Sequence, residues 1–454
     1  MRTGSMQWLL VITVAVCACT AIVKATVNTH SSTLYDKCLY NQSVVSLDLP
    51  PLALRRECIE LFSLDITNNL STYNITSDES LYIESLLRKV ISDISPGHRG
   101  KRQINRWNRR EVRTLSPREW RRFTTRLNVL KRQRLGNSNR YDAIANVHRG
   151  AVLNSAHGGP NFLGWHRVYL LILEAATQYP TPYWDSSLDF HMSDPTQSVL
   201  WSGEFFGTGF GTVDDGPFAS WITPSGISLV RNIGNAGSLI SQDGVRNVLS
   251  RTRHREIVEP SPNPLFSLEA YHNGPHVWVD GQLSSPMTAA QDPIFFLHHA
   301  FIDYIWELFR TRQRRIGIMS AFDYPRVQNP LHRPGRIMDG WPFIRGLRNI
   351  DGFNERFARM TSYSRSPTCA RCYNPTWPFP VLQCDVGNRR CISAPVPPQD
   401  TVAFASAMNR GNQVARARSS VERIGPLPIG GKFESVFTDA RVRGDTLPYG
   451  PVNN

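Results

Sequence analysis

The sequence predicts a mainly α-helical fold: a four-helix bundle core with metal-ligating histidines projecting inward from facing helices, wrapped by long loops and a few short strands. Three observations predict it. Two histidine clusters, at 148–166 and 272–299, lie beside strongly apolar runs of helical length. Between them, residues 201–245 are rich in Gly, Ser and Asn and read as a long loop with little regular structure. No internal repeat is visible. A mature chain of roughly 240 to 350 residues therefore suits one helical domain plus an irregular C-terminal part.

The first cluster is HRGAVLNSAHGGPNFLGWH, with His148, His157 and His166 at two intervals of nine. Nine residues make two and a half helical turns, so on one unbroken helix His148 and His157 point to opposite sides. Gly150 can end the helix before it, and Gly158, Gly159 and Pro160 break the middle. The expected arrangement is helix, loop, helix: His148 at the end of the first, His157 on the loop, His166 in the first turn of the second. It can bring three imidazoles to one point, which suits Cu, Zn, Fe or Ni.

The second cluster joins YHNGPHV, where His272 and His276 are four apart and share a helix face, to QDPIFFLHHAFIDYIWELF, where His298 and His299 sit on an apolar helix. Pro275, between the first two, removes a helical hydrogen bond, so the helix there is expected to kink or begin late. Without the Glu of HExxH, the pair does not read as a zinc protease. Periodicity does not choose between His298 and His299.

Two three-histidine clusters, with no Cys or carboxylate among the ligands, resemble the CuA and CuB sites of the type-3 copper proteins: tyrosinases, catechol oxidases and molluscan haemocyanins. The likeness covers about residues 140–310. It is closest to secreted invertebrate tyrosinase-like proteins, including those of mollusc shell matrix. By that resemblance CuA takes His148, His157 and His166, and CuB takes His272, His276 and His299, the last chosen by the family pattern and by Asp303 one turn on. The resemblance implies two copper ions, dioxygen as co-substrate, and oxidation of monophenols to o-diphenols and of o-diphenols to o-quinones. The substrates it implies are phenolic small molecules or protein Tyr side chains. A catechol oxidase alone, or a silent matrix protein, is the alternative; an oxygen carrier is disfavoured by the single copper unit.

The same family pattern marks further residues. Asn273, after the first CuB ligand, is expected with Glu269 to deprotonate monophenols through a water. Asp185, in the PYWD segment, and Asp303 are expected to accept the outer N–H of ligand imidazoles. Ser155 stands where many molluscan and fungal members carry a Cys thioether-bonded to the second CuA histidine, so that crosslink cannot form here.

Around this domain, expected at 103–345, the chain has a secretory character. Residues 1–25 combine a basic start, an apolar run and small residues near Ala25, as in a signal peptide. Asn41, Asn69 and Asn74 are N-glycosylation acceptors. Residues 26–102 read as a glycosylated propeptide ending in Arg99-Gly100-Lys101-Arg102, a furin-like cleavage pattern. The irregular region 346–454 holds Cys369, Cys372, Cys384 and Cys391; in a secreted chain these favour two disulfides of open connectivity over a zinc ribbon. The expected location is extracellular, with a role in matrix or shell tanning.

Charge narrows the partners. Of 51 Lys and Arg and 37 Asp and Glu, 10 and 9 fall in residues 1–102, leaving 41 against 28. Such a basic excess suits an anionic extracellular matrix. No nucleic-acid module is recognisable, and after the signal segment no stretch is apolar enough to span a bilayer. The Arg-rich stretch 106–135 is expected to be a solvated helix face.

Overall fold

The computed structural model describes residues 75–94, 107–260, 263–340 and 347–397. The expected signal peptide, Asn41, Asn69, Asn74, Arg102 and residues 398–454 lie outside them.

Seven α-helices of six residues or more occur among the described residues: α1 Ser77–Ile94, α2 Pro117–Arg132, α3 Arg140–Ala145, α4 Asn161–Thr177, α5 Gln242–Ser250, α6 Leu268–Val279 and α7 Ile294–Arg315. The start of α2 is written in its sequence. Ser116 accepts from the Glu119 N–H, the Glu119 carboxylate accepts from the Ser116 N–H at 2.8 Å, and Pro117 occupies the first turn. Helices α4 and the first four turns of α7 are buried almost all round. Such helices belong at the centre of a fold. α4 packs on α7, α6 on α7 and α2 on α4, giving the four-helix core, and α1 lies along α4.

Helix α6 begins before His272 and continues through Pro275, which sits in its third turn. Proline there forgoes one backbone hydrogen bond. The neighbouring Gly274 is needed for packing: a Cβ on it would lie 2.4 Å from the Ser238 carbonyl oxygen, so only glycine lets this loop touch the helix.

Short strands tie distant segments together. β1 (Trp107–Arg109) pairs in parallel with β6 (Thr361–Tyr363), while β2 (Arg134–Leu135) pairs with β3 (Ser138–Asn139) and β4 (Phe210–Thr212) with β5 (Val230–Asn232). β7 (Leu382–Asp385) pairs with β8 (Arg390–Ser393). Disulfides join Cys369 to Cys384 and Cys372 to Cys391, choosing one of the three possible connectivities.

Two expectations need correction in part, and the packing crosses two of the expected boundaries. The 201–245 stretch has the expected little regular structure, chiefly β4, β5 and the start of α5, but it is more than a wrapping loop, since Trp201, Phe205, Phe206, Phe218 and Trp221 are buried in the main core. The Arg-rich stretch is a solvated helix face only from Pro117 on, where Arg118, Arg121, Arg122 and Arg132 of α2 are exposed; before it, Arg109 and Arg113 are fully buried in ion pairs with Glu174, Asp303, Glu111 and Asp189. A boundary at 345 has no counterpart in the packing, because β6 pairs with β1 and the Tyr363 hydroxyl donates to Asp303 on α7. Packing also continues N-terminal to residue 102, since Ile83, Leu86, Leu87 and Val90 of α1 join the main core.

Candidate metal centre

The chain delivers the first three histidines by local breaks. α3 ends at Ala145, and His148 follows three residues later. A one-turn helix, Leu153–Ala156, ends on His157, whose φ of −129° and ψ of 161° turn the chain out of the helix. His166 lies in the second turn of α4, one turn deeper than expected. Their Nε2 atoms converge: His148 to His157 at 2.9 Å and His148 to His166 at 3.3 Å.

The second trio converges in the same way. Nε2 of His272 lies 2.9 Å from that of His276 and 3.0 Å from that of His299, and His276 to His299 is 3.3 Å. His298 also brings one ring nitrogen within 4.8 Å of nitrogens on His272 and His276. Its Nε2, however, is 2.9 Å from the His272 carbonyl, which fixes that nitrogen as a donor and leaves only Nδ1 to face an ion. The tighter three-way approach of Nε2 atoms therefore favours His299.

The two trios face each other. His166 stacks on His299 with ring centroids 4.3 Å apart, and His157 is 5.9 Å from His272. Nitrogens about 3 Å apart surround a point about 2 Å from each, the length of a bond from imidazole to a first-row divalent ion. Five of the six rings are buried and His157 is half-buried, and this burial holds every imidazole below its ordinary pKa, His157 and His276 at about 4. Neutral imidazole is the form that binds a metal.

Outer hydrogen bonds aim the rings. The Nδ1 atoms of His148, His166 and His276 lie 2.8–2.9 Å from the carbonyls of Pro286, Phe162 and Leu283. His272 Nδ1 is 2.9 Å from Asn273 Oδ1, and His157 Nδ1 is 3.2 Å from Glu269 Oε1. Donating from Nδ1 leaves each Nε2 lone pair free for an ion. Glu269 also accepts from the Gly158 N–H at 2.8 Å, so it grips the loop that the missing Ser155 crosslink leaves unsecured.

Asp303 and Asp185 do not play their expected part. Asp303 accepts from Arg109, Arg167 and the Tyr363 hydroxyl, and the Asp185 carboxylate accepts from the Ser187 N–H and the hydroxyls of Ser187 and Ser366. The physical reason is competition. A buried carboxylate is stabilised far more by guanidinium charge than by a neutral imidazole, so arginines claim Asp303.

Above the trios lies a cavity of about 490 Å³, lined by His148, His157, His272 and His276. Its other walls include Leu153, Val277, Leu283, Asn273 and Glu269. The size and mixed lining suit a small aromatic molecule.

Sequence reading missed Phe162 and Phe295. Phe162 lies 4.8 Å from the rings of His166 and His272, and Phe295 lies 4.8 Å from His148 and 4.0 Å from His299. Each precedes the last histidine of its trio by four residues. That shared FxxxH spacing was the available signal, and it also singles out His299.

The chain is similar to known proteins. The family profile described as "Tyrosinase: Common central domain of tyrosinase" matches residues 138–259 and 241–312. A tyrosinase-like protein 1 of Margaritifera margaritifera is 35% identical over 417 residues, covering 85% of this chain and 82% of that protein. A tyrosinase-like protein of Pinctada maxima is 32% identical over 74% of this chain and 78% of its own. A tyrosinase of Streptomyces glaucescens is 34% identical over 48% of this chain and 88% of its own. Among solved structures, a functional unit of octopus hemocyanin aligns over 57% of this chain and 68% of its own at 18% identity, with a TM-score of 0.41. With two facing histidine trios that suit a binuclear copper site, and with that match to relatives across most of its length, the chain belongs to the tyrosinase family.

Proposed function

We propose that this protein oxidises phenols at a copper pair held by His148, His157 and His166 on one side and His272, His276 and His299 on the other. The observation that carries the proposal is the pair of Nε2 triangles facing each other beneath an apolar cavity. When bound, the copper pair supplies the binding and reduction of dioxygen. The protein's own residues do the rest. Leu153, Val277 and Leu283 receive the ring of the phenol and keep water away from it. Phe162 and Phe295 wedge the imidazoles from both sides and limit their tilt. Asn273, whose Oδ1 holds His272, keeps two amide N–H donors for a pocket water, and Glu269 offers the carboxylate to which the phenolic proton passes.

In this reading monophenols become o-diphenols, and o-diphenols lose two electrons and two protons to become o-quinones. A second reading, diphenol oxidation alone, is favoured by one contact: Glu269 Oε1 is already engaged by His157 and Gly158. Secretion, N-glycans at Asn41, Asn69 and Asn74 and a role in tanning an extracellular matrix belong to the same proposal; no helix of the described residues is long and apolar enough to cross a membrane.

The test compares full-length apo and copper-loaded protein with catechol and with a monophenol. Catechol oxidation by the loaded form alone is expected. Two bound coppers without oxidation of either substrate would leave a matrix protein instead. Catechol oxidation with an inert monophenol would select the second reading.

A further inference from the structure

The copper-site cavity does not end at the histidines. It shares Gly158, Glu259, Pro260 and Asn329 with a second cavity of about 350 Å³, which shares Arg326 and Val327 with a third of about 660 Å³. Together they form one groove running outward from the metals. One wall is a single stretch, YPRVQNPLHRPGRIM, residues 324–338. It places Arg326, Arg333 and Arg336 along the groove and contains no acidic residue. Arg255 lines the second cavity as well.

These charges are not spent on the fold. Arg255, Arg326 and Arg333 are exposed and make no ion pair within the described residues, whereas Arg336 pairs with Asp339. The carboxylates that line these cavities are engaged elsewhere, Glu259 by the Ser267 hydroxyl and Glu269 by His157 and the Gly158 N–H, and Asp323, just before the stretch, by His254 and Arg253. Like charges gathered along one groove repel each other unless an anion fills it.

The wall is also built to hold its shape. The buried Asn349 side chain donates to the carbonyls of Leu331 and Arg333 at 2.9 and 3.0 Å, and the Tyr324 hydroxyl donates to the His332 carbonyl at 2.9 Å. His332 is buried against Gly159, where a Cβ would come within 2.4 Å of its ring. Buried anchors of this kind position exposed side chains for binding.

We infer that the groove binds an acidic polypeptide and presents one of its tyrosines to the copper site; this rests on the phenol-oxidation reading above. A free phenol fills only the first cavity. Arg326 lies three residues from Asn329 at the cavity rim, so their Cα atoms are at most about 11 Å apart. An extended peptide advances about 3.3 Å per residue, so carboxylates two to four residues from the tyrosine reach the arginines. A polyanion without phenols would match the charge but leave the first cavity empty.

The test uses copper-loaded, full-length protein and fluorescein-labelled peptides with a central Tyr flanked by Glu, Gln or Lys. Fluorescence anisotropy reads binding without reference to turnover. The Glu peptide is expected to bind about tenfold more tightly than the Gln peptide at low salt, with the difference lost at about 0.5 M NaCl. The Arg255→Gln/Arg326→Gln/Arg333→Gln variant, checked for an unchanged melting temperature, is expected to lose about tenfold for the Glu peptide. Equal binding of Glu and Gln peptides by the wild type overturns the inference, as does binding of dextran sulfate without binding of the Glu peptide. The wild-type comparisons decide the matter even if the variant does not fold. Catechol oxidation by the same preparation tests the underlying reading separately: its failure removes phenol oxidation, while indifferent anisotropy removes only the groove.

Discussion

His298 and His299 are neighbours on α7, both buried, and both close to His272 and His276. What separates them is the partner of Nε2: a backbone carbonyl for His298, two other imidazoles for His299. This leads to opposite expectations for their alanine variants. His299→Ala should hold one copper rather than two and lose oxidation. His298→Ala should keep both coppers but lose about 1–3 kcal/mol of stability, because the His272 carbonyl is left buried without its donor. Copper analysis and urea unfolding of the two variants check this, and the reverse pattern would exchange their roles.

At the scale of elements, Asp303 joins the two helices that carry the last ligand of each trio. It accepts from Arg167, next to His166 on α4, while sitting on α7 one turn beyond His299. Arg109 of β1 and Tyr363 of β6 complete the knot, and Arg109 also clasps Glu174 on α4. Burial alone would raise the Asp303 pKa, yet Arg167 and Arg109 more than offset it and hold the carboxyl below its usual range. Asp303→Asn should therefore cost about 3–5 kcal/mol by leaving guanidinium charge buried without its counterion. Folded protein should still carry two coppers. Denaturant unfolding with copper analysis tests both halves, and loss of one copper at unchanged stability would return Asp303 to the imidazole role.

A second element-scale contact is sensitive to acid. Asp323 follows the turn Ser320–Phe322 and meets the backbone N–H and ring of the buried His254. Burial raises its pKa, but the His254 hydrogen bonds outweigh this and bring it to about 2, from 3.8. A carboxylate with a depressed folded pKa adds stability that is complete above its unfolded pKa and disappears as pH falls through the folded value. Asp323→Asn should thus be less stable than wild type above about pH 4, with the gap closing toward pH 2. A gap that does not change with pH between 5 and 2 would mean that the charge of Asp323 is not what stabilises this turn.

For the whole molecule, α1 decides what processing can achieve. Its buried Ile83, Leu86, Leu87 and Val90 contribute about 1.5–3 kcal/mol each. Glu79 also accepts from Asn146, two residues before His148. If the secreted chain is cut after Arg102, the piece carrying α1 should stay attached until denatured. Size-exclusion chromatography after cleavage with a furin-like protease checks this, and native release of that piece from a still-folded domain would make it a true propeptide. Net charge also reads differently at this scale, because Arg109, Arg113, Arg167, Arg231 and Arg310 are fully buried and do not contribute to a basic surface.

By itself the sequence determined the helical class and the two histidine groups, because helix period, glycine breaks and ligand spacing are local properties of a chain; copper rather than Zn, Fe or Ni followed from the resemblance to type-3 copper proteins. It also placed four cysteines in the C-terminal region and favoured two disulfides among them. Tertiary structure decided the rest. The partner of Asp303, the disulfide pairing and the groove formed with residues 324–338 all depend on groups far apart in sequence. Tyr363 meets Asp303 across 60 residues and Arg109 meets it across 194. Which charges meet in a buried space is set by the packing that excludes water, and no periodicity in the chain encodes that competition.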